Sequence, residues 1–380
     1  MNKSILIAIP CLKVGGTEIQ TLRLVEALTD SGYHCVTVCY FEYDFAMRQR
    51  FEEAGSKVVC LSAFGQRPAG QWNVYRFLKS GLKRVVDEYR PKIAHVQYMA
   101  PGAIPIFILR RLGLKTIVAT LHTDAGIYKS LKLIHFLQRH VTTAFTCVTE
   151  TAEKNFFGDS HLFGNDDSLG RHNHFTIHNC LPKTFHWFDS QEIQMQPQKP
   201  PVIGVVSRLE HIKGVDFVMP AFAKILQRYP DCRLMVVGDG KLREQMQQQQ
   251  HELSIPDSQL TWTGRVAYER LADLYRQMTL VWMPSRSEGF GLSAVEAMAY
   301  GCPVVATATG GLNEIIHDGI DSMLFPCGDT ESLASKTIQL LANPDKLYQM
   351  SIAALDHSKQ YTFDKYKDNI SSLYKQLSDL

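Results

Sequence analysis

Two glutamates separated by seven residues, Glu288 and Glu296, mark the densest group of reactive side chains in the sequence. The residues that follow the first glutamate are Gly289, Phe290, Gly291 and Leu292. Glycines at a strand end let a ligand approach the backbone, and the free amides of the following helix attract a diphosphate. Glu296, about one turn inside that helix, can accept hydrogen bonds from ribose hydroxyls, and Glu288 from a sugar. A packing turn with two solvated glutamates is the alternative for this segment taken alone.

Two basic residues, Arg208 and Lys213, follow the first strand expected in the same half of the chain. Arginine offers a forked donor and lysine a compact point charge, so the pair suits the two phosphates of a nucleotide diphosphate leaving group. The segment Gly238-Asp239-Gly240 ends the following strand and indicates either a ligand contact or only a tight turn. Exposed basic residues are common on loops, so neither element is specific by itself.

The N-terminal half supplies two weaker candidates. Gly15 and Gly16 lie between an expected strand and an expected helix, where backbone amides can face a phosphate or an acceptor. The GxGxxG spacing of a dinucleotide site is absent. His122 follows another expected strand and so lies at the sheet edge where ligands usually bind. A lone histidine, however, is more often a hydrogen-bonded structural residue.

Three histidines, His172, His174 and His178, have a spacing that would place their imidazoles on one face of a strand, as in a metal site. We interpret them instead as solvated loop-edge histidines, because the sequence fixes no cysteine or carboxylate beside them. No Asp-x-Asp pair lies at an expected strand end, and Arg208 and Lys213 can supply the charge that a cation would. The sequence therefore predicts neither a metal nor a cofactor.

Apolar segments that alternate with helical patterns must position these residues. They lie at 5–10, 35–40, 58–61, 93–97, 116–121, 144–149 and 175–178, and then at 202–207, 233–238, 260–263, 280–284 and 304–307. This alternation predicts an α/β protein with two doubly wound, Rossmann-like parallel-sheet domains that face a cleft. The glutamine- and proline-rich stretch within 186–201 is typical of a linker, and 158–173 is expected to form a loop.

Length and composition agree with two domains, because 380 residues exceed what one compact core usually holds. With 45% hydrophobic residues, 21% charged residues and a net charge of +2, the chain has no overall attraction for nucleic acid. Its nine cysteines form no CxxC pair, and no apolar run approaches the ~20 residues of a membrane span. We therefore expect a cytoplasmic protein with free thiols.

Several elements, taken in chain order, resemble those of one enzyme family. They are Gly15-Gly16-Thr17-Glu18, Ser207-Arg208-Leu209 with Lys213-Gly214, Gly238-Asp239-Gly240, Glu288-Gly289-Phe290-Gly291, Glu296-Ala297-Met298-Ala299, and Gly310-Gly311 with Glu314. The set resembles the retaining glycosyltransferases of the GT-B fold, in the large group (glycosyltransferase group 1, or family 4) that includes many bacterial polysaccharide and lipid-linked sugar transferases. Because the matches span positions 15 to 314, they are far more specific together than singly.

This resemblance implies a role for each candidate residue. Arg208 and Lys213 would hold the donor diphosphate, Glu296 the ribose and Glu288 the transferred sugar, and His122 would lie near the reacting sugar. Residues 1–185, with a returning C-terminal helix at 361–380, would form the acceptor-binding domain, and 202–360 the nucleotide-sugar-binding domain. The segment His178-Asn179-Cys180 departs from the Pro-Asn-Gly that the family often has, so Asn179 receives no role.

The expected function is metal-independent transfer of a hexose from a nucleotide diphosphate sugar to a glycan or lipid-linked acceptor, with retention, in cell-surface polysaccharide or glycolipid biosynthesis. A nucleotide-sugar epimerase of similar fold and a catalytically silent nucleotide-sugar-binding protein are the alternatives. A further hypothesis concerns residues 128–140, a basic amphipathic pattern that would rest on the inner face of the cell membrane. Packing of its apolar face on the sheet is the competing interpretation.

Overall fold

A computed structural model describes residues 4–63, 65–97, 103–164, 169, 172–193 and 200–379. The chain divides into two compact units. Unit 1 consists of Met1–Lys183 and Thr362–Leu380, and unit 2 of Thr184–Tyr361. Residues 194–199 of the expected linker, and residues 165–168 and 170–171 of the expected loop, lie outside the described residues.

Unit 1 is built on a seven-stranded parallel sheet in the order β3-β2-β1-β4-β5-β6-β7. Its strands are β1 (Ser4–Ile9), β2 (His34–Cys39), β3 (Lys57–Cys60), β4 (Ile93–Gln97), β5 (Thr116–Leu121), β6 (Ala144–Cys147) and β7 (His174–Thr176). Each apolar segment expected in this half forms one of them, because a strand buried on both faces has a nearly continuous apolar sequence.

Helices connect these strands in sequence. They are α1 (Gly16–Asp30), α2 (Phe45–Glu53), α3 (Gln71–Tyr89), α4 (Ile104–Arg111), α5 (Lys132–His140) and α6 (Glu150–Phe157). Helix α1 buries Leu22, Val25 and Leu28, whose spacing places them on one face. Helix α6 begins after Thr149, whose hydroxyl accepts a hydrogen bond from the Ala152 amide and so satisfies one free donor of the first turn.

Unit 2 contains a second parallel sheet, with six strands in the order β10-β9-β8-β11-β12-β13. Its strands are β8 (Val202–Val206), β9 (Arg233–Val237), β10 (Leu260–Gly264), β11 (Leu280–Met283), β12 (Val304–Thr307) and β13 (Met323–Phe325). Its helices are α7 (Val218–Arg228), α8 (Arg243–Glu252), α9 (Tyr268–Tyr275), α10 (Leu292–Ala299), α11 (Leu312–Ile315), α12 (Thr330–Leu341) and α13 (Pro344–Ser358). The predicted class of two doubly wound α/β domains is thus confirmed, although the three-residue edge strand β13 was not predicted.

The last helix, α14 (Phe363–Ser378), belongs to unit 1 rather than to the unit that precedes it in the chain. It buries Ile370, Leu373 and Leu377 in the same apolar cluster as residues of α1. The Ser31 and Ser371 hydroxyls, 2.6 Å apart, join the two helices. No helix among the described residues combines the length and apolar content needed to span a bilayer.

A buried hydrogen-bonded chain fastens α14 to the sheet of unit 1. His95, in β4, lies 2.6 Å from the Tyr374 hydroxyl through Nδ1 and 2.5 Å from the Thr120 hydroxyl through Nε2. Thr120 continues the chain to Thr146, with 2.6 Å between the hydroxyl oxygens. Burial, with a smaller contribution from nearby His122, lowers the pKa of His95 to about 3. The imidazole is therefore neutral in the folded protein at neutral pH.

This neutral imidazole predicts an acid dependence of stability. The pKa of histidine is about 6.5 in an unfolded chain and about 3 for His95 in the folded protein. Between these pH values the unfolded state therefore binds one proton more than the folded state. The stability that neutral His95 contributes is fully present above about pH 6.5 and decreases as the pH falls towards 3. From pH 7 to pH 5, we expect the free energy of unfolding of wild type to fall by about 2 kcal/mol more than that of His95→Gln.

Urea unfolding followed by circular dichroism at both pH values measures this difference. The control is His34→Gln, which replaces an exposed histidine at the start of β2 and should behave as wild type does. Equal acid sensitivity of wild type and His95→Gln would show that His95 takes no part.

Candidate active site

The carboxyl ends of β8 and β11 form the centre of the candidate site in unit 2. The two strands are neighbours, with β9 on the far side of β8 and β12 on the far side of β11. In a doubly wound sheet this arrangement is the switch point, where the connections leave towards opposite faces and ligands usually bind. The segment that follows β8 carries Arg208 and Lys213, and the segment that follows β11 carries Glu288.

A salt bridge between Lys213 and Glu288 joins these two segments. Lys213 Nζ donates to Glu288 Oε2 over 2.6 Å, and the Ser285 hydroxyl lies 3.4 Å from the same oxygen. The lysine side chain is 21% exposed and the glutamate side chain 13% exposed. Such partial shielding makes the pair stronger than a surface ion pair, while leaving both charges within reach of a ligand.

A second ion pair, between Arg286 and Asp216, fixes the same two segments. The guanidinium donates two hydrogen bonds to the Asp216 carboxylate, of 2.6 and 2.7 Å, and one of 2.7 Å to the His211 carbonyl. Its carbon lies 4.1 Å from the centre of the Phe217 ring. Burial alone would raise the pKa of Asp216, but the hydrogen bonds and charge of Arg286 outweigh it and lower that pKa. Sequence reasoning assigned Arg286 no role, because its partner lies 70 residues away.

Two glycines are required where the segments touch. Gly214 has a φ of 63°, and a Cβ there would lie 1.8 Å from the Pro284 carbonyl oxygen. Gly310 has a φ of 49°, and a Cβ there would lie 2.0 Å from the Glu288 carbonyl oxygen. That oxygen also accepts the Gly311 amide over 3.0 Å. The two glycines thus let the backbone around Lys213 and Glu288 close to contact distance.

The remaining predicted residues of unit 2 lie on the same two segments and on the helix that follows the second one. Helix α10 starts at Leu292 after Gly291, so its N-terminal amides follow the Glu288 segment directly. Glu296, half-buried one turn later, accepts from the Tyr275 hydroxyl at 3.4 Å. Burial, and secondarily Glu296, raises the pKa of Tyr275, which therefore stays protonated as the donor. Arg208 is exposed and pairs with Glu210 at 3.1 Å.

In unit 1, His122 lies where β5 ends, beside the end of β4. Its Nε2 is 2.6 Å from Gln97 Oε1, so with the amide oxygen as acceptor the imidazole carries its proton on Nε2. The two side chains help line a small cavity of 20 Å³, enough for about one water molecule. Burial lowers the pKa of His122 to about 3, which makes it a neutral hydrogen-bonding group at neutral pH.

The glycine pair at the start of α1 differs from the open anion site that the sequence suggests. The Glu18 carboxylate takes the space beside Gly15, where a Cβ would lie 2.4 Å from Glu18 Oε2, whereas the space beside Gly16 is open. Cys11 donates to Glu18 Oε1 over 3.0 Å. Burial, and then Glu18, raises the pKa of Cys11 to about 12. A phosphate next to Gly15 would therefore face a carboxylate.

Comparisons with known proteins agree with this fold. The solved structure of Anabaena HepE in complex with UDP has a TM-score of 0.78 and 19% identity over 99% of this chain and 100% of that one. The two doubly wound domains are those of the GT-B fold. The family Glycosyl transferases group 1 matches residues 188–357, and the Glycosyl transferase 4-like domain matches 15–154. The protein belongs to the group 1 glycosyltransferases.

Two relatives show how far the sequence similarity extends. D-inositol 3-phosphate glycosyltransferase of Segniliparus rotundus is 26% identical over 316 residues, which cover 76% of this chain and 67% of that protein. An uncharacterized glycosyltransferase of Methanocaldococcus jannaschii is 25% identical over 373 residues and 96% of each chain. The predicted glycosyltransferase activity is thus supported over both units.

The contact at Gly310 predicts how a small substitution disturbs the site. Gly310→Ala should lower the transfer rate at least tenfold, because its methyl group must displace the Glu288 carbonyl. Gly319→Ala is a matched control, since Gly319 also has a positive φ of 78° but no atom within 4 Å of the added Cβ. Both should cost about 1–2 kcal/mol of stability from backbone strain. Equal rates for the two variants in a steady-state assay would contradict this arrangement.

Proposed function

We propose that the protein is a retaining glycosyltransferase that moves a hexose from a nucleotide diphosphate sugar to a glycan or lipid-linked acceptor. The observation that carries this proposal is the Lys213–Glu288 salt bridge at the switch point of unit 2, immediately before the N-terminus of α10. It combines a cation for the diphosphate, a carboxylate for sugar hydroxyls and helix amides for further phosphate oxygens in one place.

Lys213 can bind Glu288 and the donor together. An ammonium group has three donors, so one can stay on Glu288 Oε2 while another reaches a phosphate oxygen. The salt bridge then sets the position of the phosphate relative to the carboxylate that receives the sugar. Arg208, exposed on the same segment, adds a second cation. Glu296 supplies acceptors for the ribose hydroxyls.

The chemical step that fits these groups is a front-face substitution. The acceptor hydroxyl oxygen bonds to the anomeric carbon as the bond from that carbon to the phosphate oxygen breaks, and the hydroxyl proton passes to the departing phosphate. Because both events occur on one face, the anomeric configuration is retained. Lys213, Arg208 and the amides of α10 stabilise the negative charge that develops on the diphosphate. Glu288 orients the sugar as its anomeric carbon becomes positive.

His122 contributes as a neutral hydrogen-bonding group. With a pKa of about 3 it holds no second proton at neutral pH, so it binds a sugar hydroxyl rather than acting as a general acid. Its neighbour Gln97 holds the imidazole in position.

Names of similar proteins suggest where a substrate search should begin. Anabaena HepE has been solved in complex with UDP-glucose, and the Segniliparus relative is named for D-inositol 3-phosphate. We therefore propose UDP-sugars as first donors, and phosphorylated polyols beside glycans and lipid-linked sugars as acceptors. The pathway proposed is synthesis of cell-surface polysaccharide or glycolipid.

Proton NMR of donor with and without acceptor tests the activity. A product with the anomeric configuration of the donor, formed only when acceptor is present, is the expected result. Epimerised donor in the absence of acceptor would indicate the related epimerase function. Tight donor binding with no turnover across a broad acceptor screen would indicate a silent binding protein.

Neutral substitutions of the two glutamates should affect different kinetic parameters. Glu296→Gln should chiefly raise the donor KM, since ribose contacts change little between the ground and transition states. Glu288→Gln should lower kcat by roughly ten- to a thousandfold, or about 1.4 to 4 kcal/mol of transition-state stabilisation. Steady-state kinetics with matched donor and acceptor measures both, with melting temperature as the folding control. The reverse pattern would contradict the assigned roles.

Transfer should not require a divalent cation, because Arg208, Lys213 and the N-terminus of α10 supply the positive charge at the diphosphate. After EDTA treatment and dialysis, kcat should remain within about twofold of the untreated value. Loss of turnover on chelation, followed by recovery with magnesium or manganese, would overturn this assignment.

We further propose that the outer face of α5 contacts an anionic membrane surface. The helix buries Ile134 and Leu137, while Leu133 is 43% exposed and Phe136 49% exposed. Exposed basic groups lie beside them, namely Lys129, Lys132 and Arg139. An apolar strip bordered by cations suits the boundary between lipid headgroups and acyl chains.

Liposome flotation at low salt tests this contact. Wild type should float with vesicles that contain anionic phospholipid, and Lys129→Glu with Lys132→Glu should reduce that fraction at least fivefold. The control pair, Lys83→Glu with Lys365→Glu, makes the same charge change elsewhere in unit 1. Equal flotation of both double variants would remove the proposal.

A further inference from the structure

Four side chains at the end of α6 and the start of β7 converge in unit 1. They are Asp159, His161, His172 and His174. Ligand atoms of the first three all lie within 4.8 Å of one another. His174 Nε2 lies 3.5 Å from Asp159 Oδ1, which brings a third imidazole to the same carboxylate. Three imidazoles and one carboxylate are a ligand set typical of zinc.

The contacts around Asp159 are long for charge-assisted hydrogen bonds and are compatible with a shared ion. His161 Nε2 and His174 Nε2 lie 3.3 and 3.5 Å from the two oxygens of this carboxylate. Charge-assisted hydrogen bonds are usually 2.7–2.9 Å long. Two ligands on a tetrahedral zinc, each about 2.05 Å from the metal, are separated by about 3.3 Å. The observed separations are close to that ligand-to-ligand distance.

His174 is held in the orientation and tautomer that a metal ligand needs. Its Nδ1 lies 2.6 Å from Glu153 Oε1, and the carboxylate of Glu153 is fully buried. Glu153 also accepts from the Thr176 hydroxyl at 2.6 Å and from the His161 amide at 3.1 Å. With the Nδ1 proton donated to this carboxylate, the lone pair of His174 is on Nε2, which faces Asp159. Metal-bound histidines usually donate their other ring N–H to a carboxylate, a backbone carbonyl or water.

Packing contacts hold the rings of His161 and His174, and the His172 ring stacks on His161. Phe157 stacks on His174 with ring centres 4.5 Å apart, and the Thr176 amide donates to the His161 carbonyl over 2.9 Å. His172 is exposed, and its ring centre lies 3.6 Å from that of His161. A nitrogen of His172 lies within 4.8 Å of the ligand atoms of Asp159 and His161.

The sequence-based argument against a metal considered a different group. It combined His172 and His174 with His178, which lies beyond the carboxyl end of β7, and it found no fixed carboxylate. The structure places Asp159 and Glu153 beside His174, and it adds His161. Glu153 precedes the expected loop and Asp159 lies at its start, so their proximity to β7 depends on the pairing of residues 161–163 with that strand.

We propose that Asp159, His161, His172 and His174 bind one Zn²⁺ ion that fastens the C-terminal end of α6 to edge strand β7. Helix α6 begins at the carboxyl end of β6, and β7, which is parallel to β6, begins at the amino ends of the strands. This site therefore lies away from the carboxyl ends, where His122 is found. The ion therefore has a structural role, with four protein ligands and no part in sugar transfer.

Zinc content after dialysis is the direct test. Protein stripped with EDTA, loaded with zinc chloride and dialysed should retain one equivalent of Zn²⁺ by mass spectrometry. His161→Asn with His172→Asn should retain less than about a tenth of that, because two ligands are lost. The control, His34→Asn with His140→Asn, removes two exposed histidines from the same unit and should retain one equivalent.

Three further readouts test whether the bound metal occupies this site. Metal-free wild type and the His161, His172 variant should melt at the same temperature, and added Zn²⁺ should raise the melting temperature of wild type alone. Co²⁺ in place of Zn²⁺ should give the intense visible absorption of a tetrahedral site in wild type only. Transfer activity at a temperature where the metal-free protein is folded should not change on zinc removal.

Several outcomes would overturn the proposal. Wild type that retains no Zn²⁺ after dialysis would show that the four groups form only an ion-paired surface. Equal retention by wild type and the double variant would place the metal elsewhere, as at the second group of candidate ligands among the described residues, His317, Asp321 and His357. In that group both imidazoles already bond one oxygen of Asp321, at 3.2 and 2.8 Å.

Discussion

Lys213 and Glu288 form a salt bridge between the segments that follow two neighbouring parallel strands, and the candidate site is built on that salt bridge. Under the proposed function, Lys213 binds the donor phosphates and Glu288 orients the sugar. The salt bridge suits both roles, because each side chain is shielded enough to stay in place and exposed enough to meet a ligand. Its position at the switch point of the sheet follows from the strand order alone.

Backbone contacts and side-chain contacts both stabilise this arrangement. The Arg286–Asp216 pair, Gly214 and Gly310 bring three separate segments of unit 2 to contact distance. The glycines that characterise the sequence motif therefore act here mainly by permitting close packing. In unit 1, His122 after β5 and His95 within β4 are neutral groups with strongly lowered pKa values. The two units thus use the same sheet topology in different electrostatic settings.

Local sequence patterns were enough to predict the fold class and the position of most strands. Apolar runs mark strands buried on both faces, and glycine with charged residues marks their carboxyl ends. Lys213 and Glu288 were therefore predicted as site residues from their sequence neighbours only. Pairings between distant positions were not predictable in this way. Arg286 with Asp216 and Asp159 with His174 depend on how loops return to the sheet, which no single motif encodes. The strand β13 escaped notice because three residues give too little periodicity.

Calorimetric binding of nucleoside mono- and diphosphates tests the central claim that Lys213, held by Glu288, receives the donor diphosphate. In wild type, the diphosphate of the base that the protein binds should bind at least tenfold more tightly than the monophosphate. In Lys213→Gln that advantage should fall to about twofold or less, which corresponds to a loss of about 1 kcal/mol or more. Monophosphate binding should persist and so confirm the fold of unit 2. An unchanged preference for the diphosphate in Lys213→Gln would contradict the account.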